Sequence, residues 1–224
     1  MRITLRKVYL FGDPPHYGGD EEVKENWAAW LYETTLLFSR LVAMNLCWLF
    51  FVLLGGGVFG ALPATISLVA VFRKALVSEN EFSWLKEAWY CYLKNIKKFF
   101  WLSLLLSLIC TGLLFSRVLF IQNSLLLERA AYLSLLYLLV LVVPYFSLNE
   151  VHFSLSTKAL LKNAFLLPLF WQFSSIKIIV SYSAVLVLSL LIPGIIPILS
   201  FSLPLYLTTT ILLNRWKKQL SKEA

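Results

Sequence analysis

The chain has 224 residues, 59% of them hydrophobic and only 14% charged, with a mean hydropathy of +0.77 and a net charge of +8. A soluble domain carries roughly a quarter charged residues, so this chain has too little polar surface to cover a globule in water. Abundant Leu, Ile, Val and Phe without a low-complexity tract exclude disorder as well.

The first 35 residues are polar, with Arg2, Arg6, Lys7 and an acidic cluster from Asp20 to Glu25. They hold no apolar signal-peptide core, so the first span is expected to act as its own uncleaved signal. About 20 apolar residues cross the hydrocarbon core of a bilayer. The charge-free run 41–72 is too long for one span and is interrupted by Gly55, Gly56, Gly57 and Gly60. It predicts two helices, 36–55 and 58–77, with Arg40, Arg73 and Lys74 snorkelling at their ends. A third span is expected over 99–116 and a fourth over 130–149. The charge-free run 178–214 breaks at Pro193, Gly194 and Pro197, which divides it into spans 178–192 and 195–213 before a basic tail, 214–224. The expected fold is all-α: one polytopic membrane domain of about six transmembrane helices.

Placing the N-terminus in the cytoplasm puts 18 of the 20 basic residues on that side, and only Arg117 and Arg129 outside. That asymmetry predicts a multi-pass protein of the cell membrane with both termini cytoplasmic. The positive charge then needs no nucleic-acid partner. Every tryptophan but Trp48 falls in or beside the expected cytoplasmic segments, as in an interfacial aromatic belt.

Two cytoplasmic connections carry pattern. From Phe82 to Phe100 the apolar positions Phe82, Leu85, Trp89, Leu93, Ile96 and Phe100 recur at helical spacing opposite Lys86, Glu87, Lys94 and Lys97. This predicts an amphipathic helix in the membrane interface. Its plain role is anchoring; its functional role would be a docking face built from Trp84, Trp89, Lys94, Lys97 and Lys98. The second connection predicts a helix from Thr157 to Leu167, ahead of Pro168, with Lys158 and Lys162 on one solvated face.

The chemistry-bearing residues are sparse. Cys47, Cys91 and Cys110 form no close-spaced pair and read as buried small hydrophobes. Gly55, Gly57 and Gly60 match G-x-G-x-x-G without the strand and βαβ unit a dinucleotide site needs; Gly56 and Gly60, four apart, point to close helix packing instead. His16 and His152 are far apart, and Glu150 and His152 at the end of the fourth span read as ordinary interfacial residues, with a proton relay as the alternative. No nucleophile, metal-ligand or phosphate-loop pattern occurs, so no catalytic residue, metal ligand or cofactor is expected. Asn45, Thr65, Ser67, Ser103, Ser107, Thr111, Ser134, Ser181, Ser183 and Thr208 to Thr210 are the polar groups inside spans. They are expected to bond to backbone carbonyls or across helices, or to line a solute path.

The run Asn45 to Phe51, the triplet Pro63-Ala64-Thr65, the run Ala70-Val71-Phe72-Arg73-Lys74 and the stretch ending Lys94-Asn95-Ile96-Lys97-Lys98 resemble the YesL-like family of bacterial membrane proteins, a domain of unknown function. The motifs cover about a quarter of the chain. Asn45, Trp48, Pro63, Thr65, Arg73 and Lys74 are the matching positions, and Leu62 stands where the family usually has a glycine before Pro-Ala-Thr. The resemblance implies a membrane topology and an association with carbohydrate uptake and breakdown, and it supplies no catalytic residue. The functional expectation is a non-enzymatic accessory component that meets subunits of a sugar-uptake system as well as the lipid bilayer. The alternative is a transporter or channel for a small neutral solute such as a sugar.

Overall fold

The computed structural model describes residues 24–78, 82–120, 125–153 and 155–223. Arg2, Arg6, Lys7, His16 and the acidic cluster from Asp20 lie outside the described residues. Among the described residues every regular element is helical. The helices are α1 (Lys24–Leu54), α2 (Val58–Val77), α3 (Trp84–Lys98), α4 (Phe100–Phe120), α5 (Leu125–Leu136), α6 (Val143–His152), α7 (Thr157–Phe170), α8 (Gln172–Leu191), α9 (Ile196–Leu199) and α10 (Ser202–Glu223).

Five segments are long and apolar enough to cross a membrane: Trp30–Leu54, Phe59–Val77, Arg129–His152, Gln172–Leu191 and Ile196–Lys218. A sixth candidate is the pair α3 and α4, which bends by 80° at Phe99. The expected all-α polytopic architecture is therefore the observed one, with shifted boundaries. The polar stretch from Lys24 is already helical, α8 starts six residues before the expected fifth span, and α7 runs through Pro168 to Phe170.

The α1–α2 turn is made by Gly55, Gly56 and Gly57. Gly56 and Gly57 have φ of 76° and 79°, a region that side chains rarely enter. The close approach lies between Gly55 and Gly60: a Cβ on Gly55 would stand 2.4 Å from Gly60 Cα and 2.8 Å from Tyr92 Oη. The expected pair, Gly56 with Gly60, is thus corrected by one residue. The turn takes up Gly56, so Gly55 at the end of α1 meets the first turn of α2.

Helix α2 is the centre of the bundle, packed by α1, α3, α4, α6 and α10. Of its apolar stretch 61% is buried, against 28% for α8, which makes α8 the peripheral span. Pro63 sits inside α2. Having no N–H, it leaves the carbonyl of Phe59 without its helical donor, and Ser103 of α4 fills that place, its hydroxyl donating to Phe59 O at 2.6 Å. Between α5 and α6, the π-helical turn Tyr137–Val142 carries the chain past Pro144, with Val143 N–H donating to Leu138 O. A π turn absorbs the missing donor of the proline without ending the helix.

Helix α3 has three sides. Trp84, Ala88, Tyr92 and Asn95 are buried against the bundle, and Tyr92 Oη donates to Phe51 O at 2.8 Å. Leu85, Trp89, Leu93 and Phe100, expected as the apolar face, are all exposed, as is Lys86 beside them. The periodicity therefore marked the side turned away from the bundle. The protein-facing side was missed because its spacing is carried by the small Ala88 and the polar Asn95, whose Nδ2 bonds back to Cys91 O.

Candidate functional site

Asn45, Trp48 and Thr65 are brought together where α1, α2 and the α9–α10 segment meet. The helix is interrupted at Ser200 and Phe201, which frees backbone groups beside α1. Asn45, fully buried, satisfies them: Nδ2 donates to Pro197 O at 2.7 Å, while Oδ1 accepts from Phe201 N and Ser202 N, each at 3.0 Å. One carboxamide thus replaces the missing rungs of a helical ladder, as an apolar medium requires. Trp48 stacks on Phe201 with ring centroids 3.8 Å apart, and its indole N–H donates to Thr65 Oγ1 at 3.1 Å. Thr65 in turn donates to Ala61 O. Pro63 is one turn from this group and acts through Phe59 and Ser103.

Thr65, Ser67, Ser134, Thr209 and Thr210 all donate to the carbonyl four residues before them, as expected of polar groups inside spans. Among the described residues Ser107, Ser181 and Ser202 have buried hydroxyl oxygens without a partner. Cys47, Cys91 and Cys110 are free thiols.

Arg73 and Lys74 lie two turns further along α2, at the end where α2, α6 and α10 finish and α8 begins. Arg73 Nε donates to His152 Nδ1 at 3.0 Å, so the imidazole is neutral there and carries its proton on Nε2. His152 stacks on Trp216 with centroids 4.5 Å apart. Trp216 packs edge-on to Trp171 at 6.0 Å, and Trp171 lies 6.2 Å from Tyr145. Tyr145 Oη meets Ser175 Oγ at 3.2 Å, and Ser175 donates to Pro168 O. Five helices are tied together through this aromatic chain. None of its links has a sequence signal, because each joins residues from separate helices.

Two expectations change here. Arg40 is only 5% exposed, its guanidinium 5.2 Å from the Trp84 ring centroid. It is enclosed by α1 and α3 rather than snorkelling, since α3 covers the place where it would emerge. Trp84, Trp171 and Trp216 are buried as well, so they lock helix ends and do not form a belt. Trp30, Trp89 and Trp101 are the exposed tryptophans among the described residues.

Trp84 consequently cannot belong to an outer face of α3. Trp89, Lys94, Lys97 and Lys98 are exposed. Lys98 pairs with Glu150 of α6 at 2.5 Å, and Lys74 pairs with Glu87 at 2.6 Å. These two bridges fasten α3 to its neighbours at both ends and leave Lys86, Lys94 and Lys97 as its outward cations.

Residues 41–117 match the family described as protein of unknown function, DUF624. The chain is 32% identical over 169 residues to a Bacillus subtilis (strain 168) protein described as uncharacterized protein YteU, covering 75% of this chain and 76% of the relative. No solved structure matches it significantly. The match takes in Asn45, Trp48, Pro63, Thr65, Arg73 and Lys74 as well as all of α3. The chain belongs to the DUF624 family, the YesL-like proteins that its motifs resemble.

Proposed function

We propose that this protein is a non-enzymatic accessory component of the cell membrane, with both termini in the cytoplasm, that presents α3 to a subunit of a sugar-uptake system. The observation that carries this reading is the division of α3: Trp84, Ala88, Tyr92 and Asn95 are locked into the bundle while Trp89, Lys94 and Lys97 face outward. A helix held by two ion pairs and a buried hydrogen bond is a rigid platform, and exposed cations on it suit an acidic protein surface at the membrane boundary. The carbohydrate association rests on the family resemblance alone. The test is affinity purification of the tagged full-length protein from native membranes in mild detergent, with quantitative mass spectrometry. A stoichiometric importer subunit that is lost from Lys94→Glu/Lys97→Glu supports the docking face; undiminished recovery with that variant overturns it.

A second reading, transport of a small neutral solute, is favoured by the break between α9 and α10, beside which Ser202 has a buried hydroxyl oxygen without a partner among the described residues. Broken helices hold substrates in many transporters. Here Asn45 already occupies the freed backbone groups, which weighs against it. Sugar uptake into proteoliposomes is its test.

A further inference from the structure

Three polar links close a ring among α2, α3 and α6. Lys74 of α2 pairs with Glu87 of α3, Lys98 of α3 pairs with Glu150 of α6, and Arg73 of α2 donates to His152 of α6. Arg73 and Lys74 are neighbours, and Glu150 and His152 stand two apart, so the same two helix ends that grip α3 also grip each other. His152 engages α10 as well, through its 4.5 Å stack on Trp216.

The three links respond differently to protons. Carboxylates and lysines keep their charges around neutral pH, whereas an imidazole changes its charge there. Arg73 Nε donates to His152 Nδ1 at 3.0 Å, and a guanidinium does not give up its proton. A proton on Nδ1 therefore removes the acceptor and sets two cations face to face. Both side chains are half-buried, which leaves the bond within reach of water and its protons.

The charged groups flanking these contacts are cations: Lys74 beside Arg73 on α2, and Arg215, Lys217 and Lys218 beside Trp216 on α10. On α7, which packs against α6, the charged residues are Lys158 and Lys162. The π turn offers Tyr137, and a tyrosine ionises far above neutrality. Glu150, the carboxylate of α6, is engaged by Lys98. A charge on His152 thus adds to a basic surround.

We propose that Arg73 and His152 form a proton-operated latch, which fastens the end of α6 to α2 in neutral solution and opens when His152 is protonated, loosening the ring that holds α3. An imidazole released from Arg73 takes up a proton near about pH 6.5. The stability supplied by the latch is therefore complete above that value and is lost as the pH falls below it. Docking on α3 weakens over the same interval; that consequence rests on the docking reading above, and the latch itself does not.

The test is amide hydrogen exchange of the full-length protein in a mild detergent, corrected for the intrinsic pH dependence of exchange. Between about pH 7.5 and about pH 5.5 the open population, in which the imidazole titrates freely, should grow about tenfold, and exchange at residues 148–153 should rise with it. Residues 84–98 should show a smaller rise. The chain has two histidines, His16 and His152, so the effect can be assigned. His16→Gln keeps the rise. His152→Gln abolishes it, because the carboxamide oxygen still accepts from Arg73 and takes no proton in this range. No rise in the wild-type protein, or the same rise in His152→Gln, overturns the latch. Should His152→Gln not fold, nitrogen NMR of the imidazole in His16→Gln decides. The latch requires Nδ1 to gain its proton together with the rise in exchange; an imidazole that stays neutral, or that titrates with exchange unchanged, overturns it. Partner recovery enters none of these readouts, so a failed docking reading leaves them standing.

Discussion

Ser103 on α4 donates its hydroxyl to the carbonyl of Phe59 on α2, and the reason that carbonyl is available lies four residues further on, at Pro63. The two features are one device: the proline empties a rung of the α2 ladder and the serine of a neighbouring helix fills it. Ser103→Ala should then destabilise the protein by about 1–2 kcal/mol, the cost of a buried carbonyl left alone. In a Pro63→Ala background residue 63 regains an N–H for Phe59 O, and the same serine substitution should cost much less. Unfolding in mixed micelles of the four proteins of this double-mutant cycle measures the coupling; additive effects would refute the device.

Asn45 makes three hydrogen bonds to the backbone of the α9–α10 break. Asn45→Leu removes all three without leaving a cavity, and stability should fall by roughly 3 kcal/mol as two N–H groups and one carbonyl lose their partners. Amide hydrogen exchange at residues 201–205 should rise more than in α2. Unchanged exchange there would show that the break is satisfied in some other way.

The glycines of the first turn should separate by mechanism. Gly55→Ala puts a methyl 2.4 Å from Gly60 Cα, a backbone clash worth roughly 3 kcal/mol or more and felt as a displaced α2. Gly57→Ala meets no atom within 4 Å but holds φ at 79°, so it should cost only about 1–2 kcal/mol of local strain. Thermal midpoints of the two variants in one detergent give the order, and a larger loss for Gly57→Ala would contradict this account of the turn.

The two tryptophans of α3 should behave oppositely. Trp84 is 3% exposed and packs on Phe72 and Arg40, so Trp84→Ala should lose about 3–5 kcal/mol. Trp89, 42% exposed, should cost less than Trp84 as Trp89→Ala, about 1–2 kcal/mol, since a large part of it stays uncovered in the fold. If Trp89 serves a partner, its loss will show in co-purification while the unfolding midpoint holds.

Glu150 is the less exposed member of its bridge, at 11% against 42% for Lys98. Lys98→Gln should cost about 1 kcal/mol, discounted for the solvent around the lysine, and Lys98→Glu/Glu150→Lys should recover part of the loss seen in Lys98→Glu alone. The bond between α3 and α6 should weaken with ionic strength in both measurements.

Much of this architecture can be read without coordinates. Charge-free runs and glycine and proline breaks define helical membrane segments, because about 20 apolar residues form a span whatever their neighbours. The α2 boundaries, the turn at Gly55 to Gly57 and the helical nature of α3 follow from that local physics, and the family motif singles out Asn45, Trp48 and Thr65 without saying that they meet. Which face of each helix meets protein was decided only by the tertiary structure. In a bilayer the lipid-facing and protein-facing sides are both apolar, so the stripe Leu85, Trp89 and Leu93 outweighs Trp84, Ala88 and Tyr92 in hydrophobicity and yet lies outside. The pairings of Asn45 with the α9–α10 break, Ser103 with Phe59, and Arg73 with His152 likewise join helices distant in sequence. The first two exist because a medium without water leaves freed backbone groups no other partners.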